Sequence, residues 1–123
     1  MLTHNPLIAF IPTKDRPSAR HFYEDLLGLR FLSEDPFALV MEANGTMIRI
    51  VGVDDFTPFP FTILGWQVDD IHQTVAELTG KGLQFTRYPY FEQSADGVWT
   101  APGGVKVAWF KDPDGNTLSL SQH

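Results

Sequence analysis

One arginine stands inside an otherwise apolar run, Met47-Ile48-Arg49-Ile50-Val51, and no side chain in the sequence asks more clearly for a chemical partner. Its guanidinium is a rigid fork of donors that matches a carboxylate, a phosphate or an enolate. Left buried and unpaired it would cost several kcal/mol, so something must satisfy it. Two readings stay open: a salt bridge to Glu42, diagonally across a hairpin, or contact with an anionic ligand. The other reactive side chains read as structural. His21 and His72 fall on the polar sides of helical patterns, and His4 and His123 lie near the ends. The acids Asp54-Asp55, Asp69-Asp70 and Asp112/Asp114 sit in a linker, at a helix start and in a tight turn, where Asp bonds its own backbone. Ser119 has no histidine predicted nearby to activate it. The Gly103-Gly104 pair precedes no helix that could offer its amides to a phosphate.

The elements that carry these residues repeat. Gly28-Leu29-Arg30-Phe31 recurs as Gly82-Leu83-Gln84-Phe85, and the same displacement carries Asp15 onto Asp69. Both aspartates are read as helix N-caps. Ala19, Phe22, Tyr23, Leu26 and Leu27 keep helical spacing in the first half, as do Ile71, Val75 and Leu78 in the second. Glycines (Gly28; Gly80 and Gly82) end each pattern. Strands are expected at 7–12, 29–33, 37–43 and 46–51, and again at 62–68, 83–87, 105–111 and 116–121. Residues 54–60 form the linker.

Two turns set which side chains share a face. Asn44-Gly45 is a two-residue hairpin signal that pairs Ala43 with Thr46 and Val40 with Arg49. Phe37, Leu39, Met41, Ile48 and Ile50 then form a packed face; Ala38, Val40, Glu42, Met47, Arg49 and Val51 form the other. In the second half the turn is Asp112-Pro113-Asp114-Gly115. There Val105, Val107, Trp109, Leu118 and Leu120 are expected to pack, with Lys106, Ala108, Phe110, Thr117, Ser119 and Ser121 opposite.

Composition narrows the class. A chain of 123 residues, 43% hydrophobic, suits one domain with a real core. Its formal charge of −6 and lack of basic clusters argue against nucleic acid. No stretch is long and apolar enough for a membrane, and the N-terminal pattern does not read as a signal peptide, so a cytoplasmic protein is expected. The absence of cysteine removes disulfides, thiolate nucleophiles and thiolate metal sites.

The run Lys14-Asp15-Arg16-Pro17-Ser18-Ala19-Arg20-His21-Phe22-Tyr23-Glu24-Asp25-Leu26-Leu27-Gly28-Leu29 resembles the first-helix signature of the glyoxalase/bleomycin-resistance/dioxygenase superfamily, the vicinal oxygen chelate fold. Trp109-Phe110-Lys111-Asp112-Pro113-Asp114-Gly115-Asn116 is similar to that family's last hairpin. The resemblance implies an α+β fold of two tandem βαβββ units forming a cup-shaped pseudo-barrel. It makes 1–123 a single domain, with units at about 1–53 and 61–123, and it implies a homodimer. Many members hold a divalent metal through four side chains, whose positions fall here on Ile8, Arg49, Ile63 and Ser119. Isoleucine has no donor and a guanidinium repels a cation, so neither a metal nor another cofactor is expected.

The preferred reading is a metal-free protein binding a small organic molecule, anionic or aromatic, in the cup. Phe10, Gln67, Arg49, Phe110 and Ser119 would line it beside Glu42, with Tyr88, Tyr90 and Trp99 near its mouth. The aromatic stretch 88–97, which includes Phe91, reads equally as a lid or rim, a plug, or a dimer contact. The alternative is a lyase, isomerase or dioxygenase-like enzyme that uses Arg49 to stabilise an oxyanion, or a non-standard metal site.

Overall fold

The computed structural model describes all 123 residues, which divide into two compact units, Met1–Thr57 and Pro58–His123. In the first, β1 (Ile8–Thr13) leads to α1 (Arg16–Arg20), which runs on as a π-helical turn (His21–Leu26) before β2 (Arg30–Glu34), β3 (Ala38–Ala43) and β4 (Thr46–Gly52). Asp15 starts the helix as expected: its carboxylate accepts the Ser18 amide at 3.2 Å and the Ser18 hydroxyl at 2.9 Å, with a proline in the first turn. The wider π turn buries two successive aromatics, Phe22 and Tyr23, edge to face at 5.1 Å. Gly28, at φ +77°, then releases the chain into β2.

The sheet runs β1-β4-β3-β2, with β1 parallel to β4 and the other pairs antiparallel. Asn44 and Gly45 both take positive φ, the turn that a two-residue hairpin demands. Ala43 pairs with Thr46 and Val40 with Arg49, in the expected register. Leu39, Met41, Ile48 and Ile50 are all buried, whereas Phe37 is not on their face: it precedes β3 and is 72% exposed.

The second unit repeats this order: β5 (Thr62–Gln67), α2 (Ile71–Gly80), β6 (Trp99–Thr100), β7 (Lys106–Lys111) and β8 (Thr117–Gln122), in the sheet β5-β8-β7-β6. Hydrogen bonding thus builds two four-stranded mixed sheets and closes no barrel. Ile71, Val75 and Leu78 turn one stripe of α2 inward.

Three expectations fail in this unit. Asp70, not Asp69, caps α2, accepting the Gln73 amide at 3.1 Å. The strand foreseen at 83–87 shrinks to a bridge between Phe85 and Phe110, and the fourth strand is the two-residue β6. Most consequential, the second hairpin is out of register by one residue. Asp112 accepts the amides of Asp114 and Asn116 on Oδ1 and the Asn116 side-chain amide on Oδ2, so Asn116 belongs to the loop and Lys111 pairs with Thr117. Because strand side chains alternate, one extra loop residue exchanges the two faces of β7 relative to β8. Ala108, Phe110, Leu118 and Leu120 are the packed set, each buried. Val107 and Trp109 stand opposite, beside Ser119 and Ser121.

Candidate functional site

The face of each sheet away from the packed set, its front, carries most of the expected site residues. In the first unit β1 pairs in parallel with β4, so Ile8 lies beside Met47 and Phe10 beside Arg49. Phe10 is 63% exposed, while Val40 on the other flank of Arg49 is buried. Arg49 Nη2 donates to Asp35 Oδ2 at 3.0 Å. The expected Glu42 partner is otherwise engaged. Its Oε1 accepts the Gly45 amide of the turn at 2.7 Å, and its Oε2 lies 3.8 Å from Arg30.

Asp35 is a built acceptor. Its Oδ1 takes the amides of Phe37 (2.8 Å) and Ala38 (2.9 Å), and Arg16 holds the turn around it by donating to the Asp35 and Pro36 carbonyls. The Phe37 amide and then the Arg49 guanidinium hold the Asp35 carboxyl below its usual range, against some desolvation. Arg49 is three-quarters covered, and its Nε and Nη1 make no bond in the structure. It is therefore an oriented cation with spare donors next to an apolar strand edge. The sequence carried one clue to Asp35: an Asp-Pro pair at a strand end is a turn signal.

In the second unit the register places Gly65 beside Ser119, Gln67 beside Ser121, Trp109 beside Ser119, and Trp99 beside Val107. Phe110, expected on this front, is fully buried on the packed face, ringed by Trp66 at 6.2 Å and Phe85 at 5.7 Å. Trp109 takes the place assigned to it. The front is stepped: two indoles stand on β6 and β7, Ser119 follows on β8, and Gly65 ends the row on β5. Ser119 leans over that glycine so closely that a Cβ on Gly65 would come within 2.7 Å of the hydroxyl oxygen. Tyr88 meets Trp109 edge-on at 5.3 Å, and Phe91 lies parallel to Trp109 at 5.2 Å and on Trp99 at 4.4 Å. Burial, then the neighbouring Tyr90, raises the Tyr88 hydroxyl above its ordinary pKa; Tyr90 itself is 73% exposed.

Two depressions lie off this front. A cleft of ≈ 680 Å³ runs beside α2, lined by Val75, Leu83, Phe85, Arg87 and Asp96 among others, and none of the expected site residues reaches it. Its charges are already engaged: Arg87 donates to the Ser94 and Ala95 carbonyls, and Asp96 meets His72 at 2.6 Å. Gln67 borders a second, of ≈ 370 Å³, with Asp69, Asp70 and Glu77.

The residues do not fit the divalent metal that the resemblance brings to mind. Ile8 is half-exposed and without a donor, Arg49 is a cation, and Ile63 falls in an irregularity of β5. Ser119 offers one neutral hydroxyl. No group of three or more His, Cys, Asp or Glu side chains is placed to hold a metal ion. No helix is long and apolar enough to cross a membrane.

Known proteins place this architecture. Among solved structures, a superfamily member from Sphaerobacter thermophilus DSM 20745 matches over 100% of both chains at 24% identity, with a TM-score of 0.77. TnmS3, an antibiotic binding protein from Streptomyces sp. CB03234, matches at 22% identity and a TM-score of 0.71, covering 99% of this chain and 98% of its own. The lactoylglutathione lyase from Agrobacterium tumefaciens matches at 15% and 0.74, covering 97% and 93%. Likeness at such identities establishes the fold alone. Among proteins of curated function none matches significantly. The family model described as Glyoxalase/Bleomycin resistance protein/Dioxygenase superfamily covers residues 6–120, and the chain belongs to that superfamily.

Proposed function

We propose that the protein binds a small organic molecule carrying an anionic group, with Arg49 as its anchor, and that it does so without a metal. The observation that carries this reading is the state of Arg49: mostly covered, aimed by Asp35, and with two faces of its guanidinium still able to donate. Five N–H donors in a fixed fork let one guanidinium serve two carboxylates at once. Phe10 and Met47 supply apolar contact beside it. The antibiotic binding protein of the same fold is in keeping with capture in place of turnover. Base catalysis finds little support, because Asp35 already accepts three hydrogen bonds and its pKa is lowered, which makes it a poor proton acceptor.

Naphthoate, a flat aromatic carboxylate, tests the anchor by calorimetric titration. Replacing Arg49→Met should weaken it roughly 10- to 100-fold, since a hydrogen bond to a charged group is worth about 1.5–3 kcal/mol. Asp35→Asn keeps an oxygen that can orient Arg49 but removes the negative charge that repels an anionic ligand, and should strengthen it. Equal affinity in all three proteins, or no measurable binding across a broad set of aromatic acids, refutes the proposal. A homodimer belongs to the same reading. Leu7, just before the edge strand β1, and Ile8 at its start are at least half exposed, an apolar edge that a second copy would cover. Sedimentation at micromolar concentration should give twice the chain mass, and monomer alone would remove this part.

A further inference from the structure

We infer that residues 89–92 form a retractable plug, in which Phe91 occupies a platform of Trp109 and Trp99 that a planar aromatic ligand takes when the tip withdraws. The inference rests on the small-molecule binding proposed above and concerns the second unit by itself. Both indoles stand on the front of their sheet, because Trp109 pairs with Ser119 and Trp99 with Val107. Phe91 belongs to neither strand. It comes down on them from the loop, its ring within 5° of parallel to Trp109 and stacked on Trp99 as well. That is the pose of a stacked planar ligand. The cluster does not behave as a closed core either: Phe91, Trp99 and Trp109 each keep part of their surface in solvent, in contrast to Phe110 on the opposite face at 0%.

The loop is hydrogen-bonded at its base and held at its tip mainly by ring contacts. Gln93 clamps the base: its Oε1 accepts the Tyr88 amide at 2.8 Å, and its Nε2 donates to the carbonyls of Thr86 and Gly97. Arg87 binds the Ser94 and Ala95 carbonyls, and Asp96 is fastened by Ser94 and by His72 of α2. Across residues 89–92 the backbone makes one hydrogen bond, Phe91 N–H to the Tyr88 carbonyl at 3.1 Å. Ring contacts hold the rest of the tip. A segment with fixed ends and a tip held by side-chain stacking opens locally at far lower cost than the sheet beneath it. On opening it would bare two indole faces beside the Ser119 side chain.

A ligand that needs the open form sees its affinity reduced by the fraction of molecules that are open. A minor open state holds at most about a tenth of the molecules, so deleting the Phe91 ring should raise affinity about ten-fold or more. The probe is naphthol, neutral and flat, followed by quenching of tryptophan fluorescence, with its saturated counterpart decahydronaphthol as the non-planar control. Phe91→Ala should bind naphthol about ten-fold tighter than the unaltered protein and gain little for decahydronaphthol. Adding Trp109→Phe to Phe91→Ala should remove most of the gain while leaving the fold intact, as judged by circular dichroism. Equal naphthol affinity with and without the Phe91 ring overturns the plug. If naphthoate still binds through Arg49 in that case, the binding function survives its loss. If neither probe binds any variant, plug and function fall together.

Discussion

Adjacent residues Phe110 and Trp109 offer a sharp separation of core from site. Phe110 is fully buried between Trp66 and Phe85, on the sheet face that α2 covers. Cutting a buried phenylalanine back to alanine costs about 3–5 kcal/mol, from lost transfer energy plus the cavity left behind. For a chain of this size each kcal/mol lowers the melting temperature by roughly 3–6 °C. Phe110→Ala should therefore melt at least about 10 °C lower, or fail to fold if total stability is near the bottom of the usual range of about 5–15 kcal/mol. Phe110→Leu keeps most of the volume and should cost about 1 kcal/mol, so that one variant at least can be measured. Trp109→Ala loses stacking with Phe91, Tyr88 and Trp99 on a half-open face. Its cost should be about 2 kcal/mol, since each ring pair adds only about 0.5–1.5 kcal/mol beyond burial. Urea denaturation gives the stabilities and naphthol titration the affinities. Phe110→Ala should lose more stability than Trp109→Ala and leave naphthol affinity unchanged, whereas Trp109→Ala should lose the affinity. If Phe110→Ala costs under about 1 kcal/mol and alters naphthol affinity, the register of the second hairpin is wrong.

Further outcomes follow from other contacts. Gly65→Ala should destabilise the protein because its Cβ would meet the Ser119 hydroxyl at 2.7 Å, and Ser119→Ala should relieve most of that cost. A double-mutant cycle with no coupling would contradict the close approach. Asp35 titrates below its ordinary range in the folded state, so its contribution is full above the usual carboxylate range. That contribution is lost as pH falls through the lowered value. Asp35→Asn should therefore flatten the acid side of the stability profile, and an unchanged profile would refute the Asp35–Arg49 account. Elemental analysis of purified protein should find less than stoichiometric zinc, iron, manganese and nickel, and chelator should leave the melting temperature unmoved. A stoichiometric transition metal would overturn the metal-free reading.

Local codes in the chain were enough for much of this. Asn44-Gly45 specified its hairpin because two residues with positive φ admit one turn and one register, and with it the neighbours of Arg49 followed. The cap of α1, the glycine stops and the two-fold repetition of elements were legible for the same reason: each depends on residues within a few positions of one another. The second hairpin was not, because its register turns on Asp112 capturing the Asn116 amides, which lengthens the loop by one residue and reverses the face of everything in β7. Nor was the true partner of Arg49. Asp35 reaches it only because Arg16 and the amides of Phe37 and Ala38 fold the intervening turn back toward β4. The seat of Phe91 on two tryptophans likewise required strands and loop already in place. Short-range hydrogen bonding is written along the sequence; which side chain meets which across a sheet depends on a parity that a single loop residue can invert.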